Sequence, residues 1–346
     1  MCIRDRSRGS QAGVEGKEIP IAPVTGQGLH TQGNWMLEEL NPLLKNLPPR
    51  TARALVQAIN RCGEELNIGS DWVRRWIGFT VVADALTRYA LGGEPAFELK
   101  GGAAIELRLR WLDKGSEGGA PAQPRATRDL DAAFRGELDD IESAVEAALE
   151  EPRPPFGFRV ELDGKSLPFM RRFRIRVLFL EEQLGRVVER SFSNVKLEVS
   201  LYEGEHPTPD LVPAFSLKPF GLEGPDVIPC IPLTKQVAQK LHAATEPPTE
   251  GKTNERFRDL VDIAHLSALV PATPELRAVC EDTFAIRSKQ AWPPEITIYE
   301  TWGGPLEEMA REMGLPQRTA EEIAGHVEEY VQQIAVAGSS DQQGAQ

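Results

Sequence analysis

The middle of the chain sets the strongest constraint on what it can fold into. Segments 126–134, 158–162, 173–180 and 195–201 read as strands, short runs rich in β-branched, aromatic and alternating residues. Helical patterns bracket them. Ala52, Leu55, Val56, Ile59 and Cys62 recur at helical spacing after Pro48-Pro49. Asp71 is positioned to cap a second helix over 72–91, ended by Gly92-Gly93. Residues 97–100 form a short strand, and 103–111 are compatible with a helix. An acidic helix is expected over 138–149. The last third is helical at 233–245, 255–270, 274–287, 305–313 and 319–335. Strands and helices in this order predict an α/β or α+β core, followed by a helical segment.

Length and charge narrow the function. A chain of 346 residues holds one large domain or two ordinary ones. Lys plus Arg is 39 against 52 Asp plus Glu, a net charge of −13. Such a surface does not by itself attract nucleic acid or an anionic membrane, although a local basic cleft remains compatible with it. No window approaches the ~18 apolar residues of a membrane helix, so no membrane partner is expected. Cys2, Cys62, Cys230 and Cys280 are scattered, without the CxxC spacing of a zinc knuckle. With no signal-peptide pattern, a reducing cytoplasm is the expected location. Residues 1–34 and 338–346 read as disordered tails, and the opening Met-Cys-Ile-Arg-Asp-Arg-Ser looks unrelated to the rest of the chain. Residues 114–124 are a Gly/Pro-rich loop.

The strand Thr127-Arg-Asp-Leu-Asp-Ala-Ala-Phe134 carries the most chemistry. Leu130, Ala132 and Phe134 point one way, and Thr127, Asp129 and Asp131 the other. Two adjacent carboxylates resist joint ionisation, and a hard divalent cation such as Mg²⁺ relieves this. Taken alone, an Asp-x-Asp is mostly a solvated strand face. In Val195-Lys-Leu-Glu-Val-Ser200, Glu198 stands opposite the apolar face and becomes a third acid if the two strands are neighbours. Lys100-Gly101-Gly102 lies between a strand and a helix, where glycines let backbone approach a phosphate, although Gly-Gly is usually only a turn. Lys240 lies off the apolar stripe of its helix. Arg256 pairs by spacing with Asp259, and Arg258 with Asp262. This is either a surface salt-bridge ladder or a phosphate-binding set made of Lys240 and an arginine. Arg172, Arg174 and Arg176 share a strand face that suits an RNA path or a solvated edge strand. The five histidines show no HExxH spacing, and no G-x-S-x-G supports Ser-His-Asp hydrolysis.

With these residues in view, the chain resembles the AbiEii/AbiGii toxin family of nucleotidyltransferases, within the DNA polymerase β-like superfamily. The matching stretches are Phe97-Glu-Leu-Lys-Gly-Gly-Ala-Ala-Ile-Glu-Leu-Arg, Arg125-Ala-Thr-Arg-Asp-Leu-Asp, Lys196-Leu-Glu-Val-Ser, Ala238-Gln-Lys-Leu-His-Ala and Arg256-Phe-Arg-Asp-Leu-Val-Asp, in the family's order. The resemblance implies a mixed-sheet nucleotidyltransferase domain with leading helices over 35–220 and a helical C-terminal domain over 221–337. It implies metal-dependent nucleotide transfer, with Mg²⁺ or Mn²⁺ as cofactor and an NTP as substrate. It further implies the toxin of a toxin–antitoxin or phage-abortive pair, with a cognate antitoxin and an RNA acceptor such as tRNA. Asp129 and Asp131 match the metal-binding acids, and Glu198 falls where a third acid, usually Asp, is expected. Lys240 matches a phosphate-binding lysine. Asp259 matches an acid that acts as base or positions the acceptor. Lys100, Gly101, Gly102, Arg125, Thr127, Arg256 and Arg258 complete the implied nucleotide site. The chain departs from the pattern at Ala103, which lacks a hydroxyl many relatives carry. A non-catalytic nucleotide sensor on the same fold is the alternative, and a metal-dependent nuclease a weaker third reading.

Overall fold

The computed structural model describes residues 48–65, 68–112, 127–164, 167–248 and 253–338. The expected N-terminal tail, nearly all of the C-terminal one, the 114–124 loop, Arg125 and Cys2 lie outside these residues. The strands are β1 (Ala90–Leu91), β2 (Glu94–Pro95), β3 (Phe97–Lys100), β4 (Asp129–Phe134), β5 (Phe156–Leu162), β6 (Met170–Gln183), β7 (Arg186–Leu201), β8 (Asp210–Pro213) and β9 (Val227–Cys230). The helices are α1 (Ala52–Glu65), α2 (Ser70–Arg88), α3 (Gly101–Leu112), α4 (Ile141–Glu150), α5 (Leu233–Thr245), α6 (Phe257–Ser267), α7 (Pro274–Arg287), α8 (Gly303–Glu312) and α9 (Ala320–Val336).

Seven strands make one mixed sheet in the order β5-β6-β7-β4-β3-β9-β8. The β4–β7 and β3–β9 pairs are parallel, and the other neighbours antiparallel. Period-two alternation divides the sheet into two faces. Leu130, Ala132 and Phe134 of β4, Phe173, Ile175 and Val177 of β6, and Val195, Leu197 and Val199 of β7 are buried in one apolar cluster with α1, α2 and α4. Gly78 brings α2 close to that face: a Cβ there would stand 3.0 Å from Ser193 Oγ and 3.5 Å from Val195 Cγ2. The opposite face of β4 and β7 keeps the polar residues.

A second apolar cluster joins α5 to α9, with Val237, Leu241, Leu260, Trp302, Ile323 and Val331 buried in it and Ile105 of α3 reaching in. Buried polar groups are anchored there. Trp302 Nε1 donates to the Asn254 carbonyl at 2.5 Å, and Tyr330 Oη to the Val270 carbonyl at 2.6 Å. Cys62, Cys230 and Cys280 are buried free thiols. Burial pushes their titration up, to about 11 for Cys62 and about 12 for the other two. Among the described residues no helix is long and apolar enough to cross a membrane.

Several elements differ from the sequence expectation. Asp71 lies in the first turn of α2, and Gly69 is the N-cap. That helix stops at Arg88. Gly92 and Gly93, with φ of +62° and +92°, make the two-residue turn of the β1–β2 hairpin instead of a helix end. β6 and β7 run well past the expected 173–180 and 195–201. The added stretch of β7 over 186–191 is largely exposed, so pairing continues there where hydrophobic alternation fades, while Leu178, Phe179 and Glu181 of β6 stay buried. β8 and β9 leave little trace in the sequence, because each is four residues long and contains a proline. β9 lies beyond residue 220, the boundary expected for the sheet-bearing segment.

Candidate active site

Register builds the site. In β4, Asp131 is paired across to Lys100 of β3 on one side and to Glu198 of β7 on the other. Glu198 is paired in turn to Arg172 of β6. One row across four strands therefore reads Lys100, Asp131, Glu198, Arg172, at about 4.8 Å per step. The next row reads Asp129, Lys196, Arg174 and Glu161. Asp129 and Asp131 are thus side by side on the polar face, with Glu198 beside Asp131.

The glycines close one end of this acid pair. Gly101 has φ +64°, a left-handed conformation that ends β3 and turns the chain into α3. A Cβ on Gly101 would lie 2.0 Å from Asp131 Oδ2, and one on Gly102 would lie 2.7 Å from Thr127 Oγ1. The first residues of α3 therefore pack directly on the acidic strand, with free backbone N–H groups at the helix N-terminus. Gly101→Ala is expected to cost about 1–3 kcal/mol in stability and to displace the Asp131 carboxylate. Urea denaturation of the variant measures the first effect, and divalent-metal titration the second.

Electrostatics make Asp131 the distinctive group. Burial pushes its carboxyl up to about 6. Lys100 and Lys240 pull it back down, and Glu198 and Asp129 push it further up. Burial likewise lowers Lys100, against the pull of Asp131, Glu203 and Glu198. Lys100 Nζ donates to Ser200 Oγ at 2.6 Å. Glu203 and Arg287, which form a bidentate pair with contacts of 3.0 and 2.9 Å, complete the surroundings of Lys100.

The later helices bring their own charges. Lys240 Nζ donates to Asp259 Oδ1 at 2.6 Å and Asp262 Oδ2 at 2.7 Å, all three side chains being nearly inaccessible. Of the two readings the spacing leaves open, the surface ladder fits Arg256 and Asp259, while Asp262 is buried and bonded to Lys240 of α5. Arg258 instead lies over the ring of its neighbour Phe257 at 5.7 Å. Arg256 is 3.8 Å from Asp259 Oδ2, as the spacing suggests. Burial pulls Lys240 down, but Asp259 and Asp262 outweigh it and the ammonium is held above its ordinary value.

The site therefore gathers Lys100, Gly101, Gly102, Thr127, Asp129, Asp131 and Glu198, with Lys240 close enough to act on Asp131 electrostatically. Sequence reasoning misses Gln236, Arg108, Glu203 and Arg287. Arg108 ends the first matching stretch without being given a role there, the other three belong to no motif, and only the folded chain brings them together. Among the described residues, no three His, Cys, Asp or Glu side chains are gathered as a ready metal cage. Glu198 is drawn toward Arg172, with Oε1 at 2.9 Å from Nε. The oxygens nonetheless suit a hard divalent cation. Asp129 Oδ1 and Thr127 Oγ1 are buried without a hydrogen-bond partner, beside the buried carboxyl of Asp131.

Comparison with known proteins decides what this arrangement belongs to. The family model described as nucleotidyl transferase AbiEii toxin, type IV toxin–antitoxin system, matches residues 84–334. The chain belongs to the AbiEii nucleotidyltransferase toxin family. The matched stretch holds every strand of the seven-stranded sheet and α5 to α8 entire. No curated protein matches the chain by sequence. Among solved structures, the fold is similar to that of MenT4, a nucleotidyltransferase toxin from Mycobacterium tuberculosis H37Rv. The TM-score is 0.50 at 15% identity, over 85% of this chain and 92% of that one. This AbiEii family member is accordingly an enzyme, a nucleotidyltransferase toxin on a mixed α/β fold.

Proposed function

We propose that this toxin acts in the cytoplasm, transferring a nucleoside monophosphate from an NTP to a hydroxyl of an RNA acceptor, of which tRNA is the candidate. It would do so with Mg²⁺ or Mn²⁺ and under the control of a cognate antitoxin. The observation that carries the reading is the packing of the Gly101-Gly102 turn directly on Asp131, beside the unpartnered Asp129 oxygen. Asp129 and Asp131 would hold the divalent ion, which neutralises phosphate charge and polarises the α-phosphoryl group when bound. The N-terminal N–H groups of α3 take the triphosphate oxygens. The acceptor oxygen bonds to the α-phosphorus as the α–β phosphoanhydride bond breaks, pyrophosphate leaves with the bond electrons, and the hydroxyl proton passes to a carboxylate. Glu198 suits that last role because it stands at the open, arginine-bearing side of the acid set. Lys240 contributes a fixed positive charge through its buried pairs.

The acceptor path is supported by the polar face of β5, β6 and β7. Arg172, Arg174, Arg176 and Lys196 stand there in adjacent rows, continuous with the acids. The arginines pair with Glu198, Asp163 and Glu161 respectively, so RNA phosphates would exchange for carboxylates. Binding should therefore weaken steeply with salt. Incubation with each α-labelled NTP, total tRNA and Mg²⁺ tests the proposal. Label is expected in RNA, lost on chelation. Arg174→Ala with Arg176→Ala is expected to raise the acceptor KM several-fold without changing the NTP KM. NTP binding without transfer to any acceptor would favour a nucleotide sensor, and shortened RNA would favour a nuclease.

A further inference from the structure

The Gly101-Gly102 turn is held from behind by a side chain outside every motif read from the sequence. Gln236, in the first turns of α5, is almost fully buried. Its Nε2 donates to the Gly101 carbonyl at 2.7 Å. Its Oε1 accepts from Arg108 NH1 at 2.8 Å. Arg108, on α3 itself, spends its other terminal nitrogen on Asp210 Oδ2 at 2.9 Å and the Ile231 carbonyl at 2.7 Å. Asp210 Oδ2 in turn accepts the Leu233 N–H at 3.0 Å, at the start of α5. The amide of Gln236 is thus clamped at both ends and cannot rotate without losing a buried hydrogen bond.

This clamp acts on one peptide plane. The Gly101–Gly102 peptide is planar and trans, so its carbonyl and its N–H point in opposite directions. Drawing the Gly101 carbonyl toward α5 therefore aims the Gly102 N–H away from it. Gly101 opens α3 as a glycine at positive φ, with no side chain to fix it. Without the Gln236 bond, the orientation of that peptide would rest on the first turn of α3 alone.

We propose that Gln236 is a positioning residue for the NTP triphosphate: its two hydrogen bonds preset the Gly102 N–H as a phosphate donor and couple the nucleotide turn of the sheet to the helical segment beginning at α5. The inference rests on the reading that the Gly101-Gly102 turn grips the triphosphate. It assigns the grip's rigidity to a residue that touches neither nucleotide nor metal.

Gln236→Glu separates orientation from mere filling. The carboxylate still accepts from Arg108, but has no N–H for the Gly101 carbonyl. The variant is expected to keep a melting temperature near that of the full-length wild type. It should show Kd and KM for NTP raised about tenfold, the size of one lost hydrogen bond, with kcat changed far less. Each of the four NTPs is titrated separately with Mg²⁺, and binding is read by calorimetry alongside turnover. Gln236→Met removes both bonds and carries the same prediction for NTP affinity, should the buried carboxylate unfold the first variant. A folded Gln236→Glu or Gln236→Met protein that binds NTP as the wild type does overturns the inference, while wild-type binding leaves the turn's role standing. Loss of NTP binding in Gly102→Ala but not in wild type supports the turn as the phosphate grip. A wild type that binds none of the four NTPs sinks the grip and the inference together.

Discussion

Asp131→Asn is expected to reduce nucleotide transfer by about 10³-fold or more, because it removes the charge proposed to hold the metal next to the proposed phosphate turn. The fold should survive and, at neutral pH, gain. Asp131 is a carboxyl whose folded-state titration lies at about 6, above its ordinary 3.8. Such a group contributes stability that is fully present below pH 3.8 and is lost as pH rises through about 6. Burial is the main cause, with Glu198 and Asp129 adding to it against Lys100 and Lys240. The Asn side chain never ionises, so it escapes that loss. Thermal melts without metal should therefore show the variant gaining on wild type between pH 4 and pH 7.5. Added Mn²⁺ should stabilise the wild type and leave the variant nearly unmoved. A metal-free stability difference that does not change with pH would show that Asp131 carries no such burden.

Lys240→Met is expected to unfold the helical segment far more readily, with a loss of about 3–5 kcal/mol. The reason is the company left behind. Asp259 and Asp262 both reach the same ammonium, and Asp262 is 1% exposed. Removing the cation leaves two buried carboxylates facing each other from one helix, next to α5. Because the ammonium of Lys240 is held above its ordinary 10.5, the stabilisation is fully present from neutral pH up to that value and declines in stronger alkali. Denaturant unfolding at pH 7 and pH 9 should therefore report the same deficit. Lys240→Arg, whose fork reaches two carboxylates at once, should recover much of it. A deficit under about 1 kcal/mol would mean the triad is screened like a surface pair.

The sequence is legible where its signals are local. Asp129, Asp131 and Glu198 are readable because a strand alternates, and Leu130, Leu197 and Val199 mark the buried side in the letters themselves. Helices α5 and α7 fall at their expected bounds because three to four turns of apolar spacing and Pro274 at the start of α7 define them. Register is not legible. Nothing in either segment states that Asp131 stands across from Glu198, or Glu198 from Arg172, since those are long-range pairings fixed by packing. For the same reason Lys240 reads as a surface lysine in the sequence. Its partners sit 19 and 22 residues away, and the burial that makes them count arises only when α5 meets α6. The charge of Arg172 suggests RNA by itself, while its place beside the third acid comes only with the fold.

The central claim is that Asp129 and Asp131 form one metal-holding centre with the Gly101-Gly102 turn as its phosphate seat. A crystal of the protein soaked with Mn²⁺ and a non-hydrolysable NTP tests it most directly, because manganese is located by its own anomalous signal. The account predicts manganese between the carboxylates of Asp129 and Asp131, with Asp129 Oδ1 now ligated, and triphosphate oxygens on the backbone N–H groups at the start of α3. Manganese and triphosphate bound together elsewhere, with Asp129 Oδ1 still unpartnered, would contradict it.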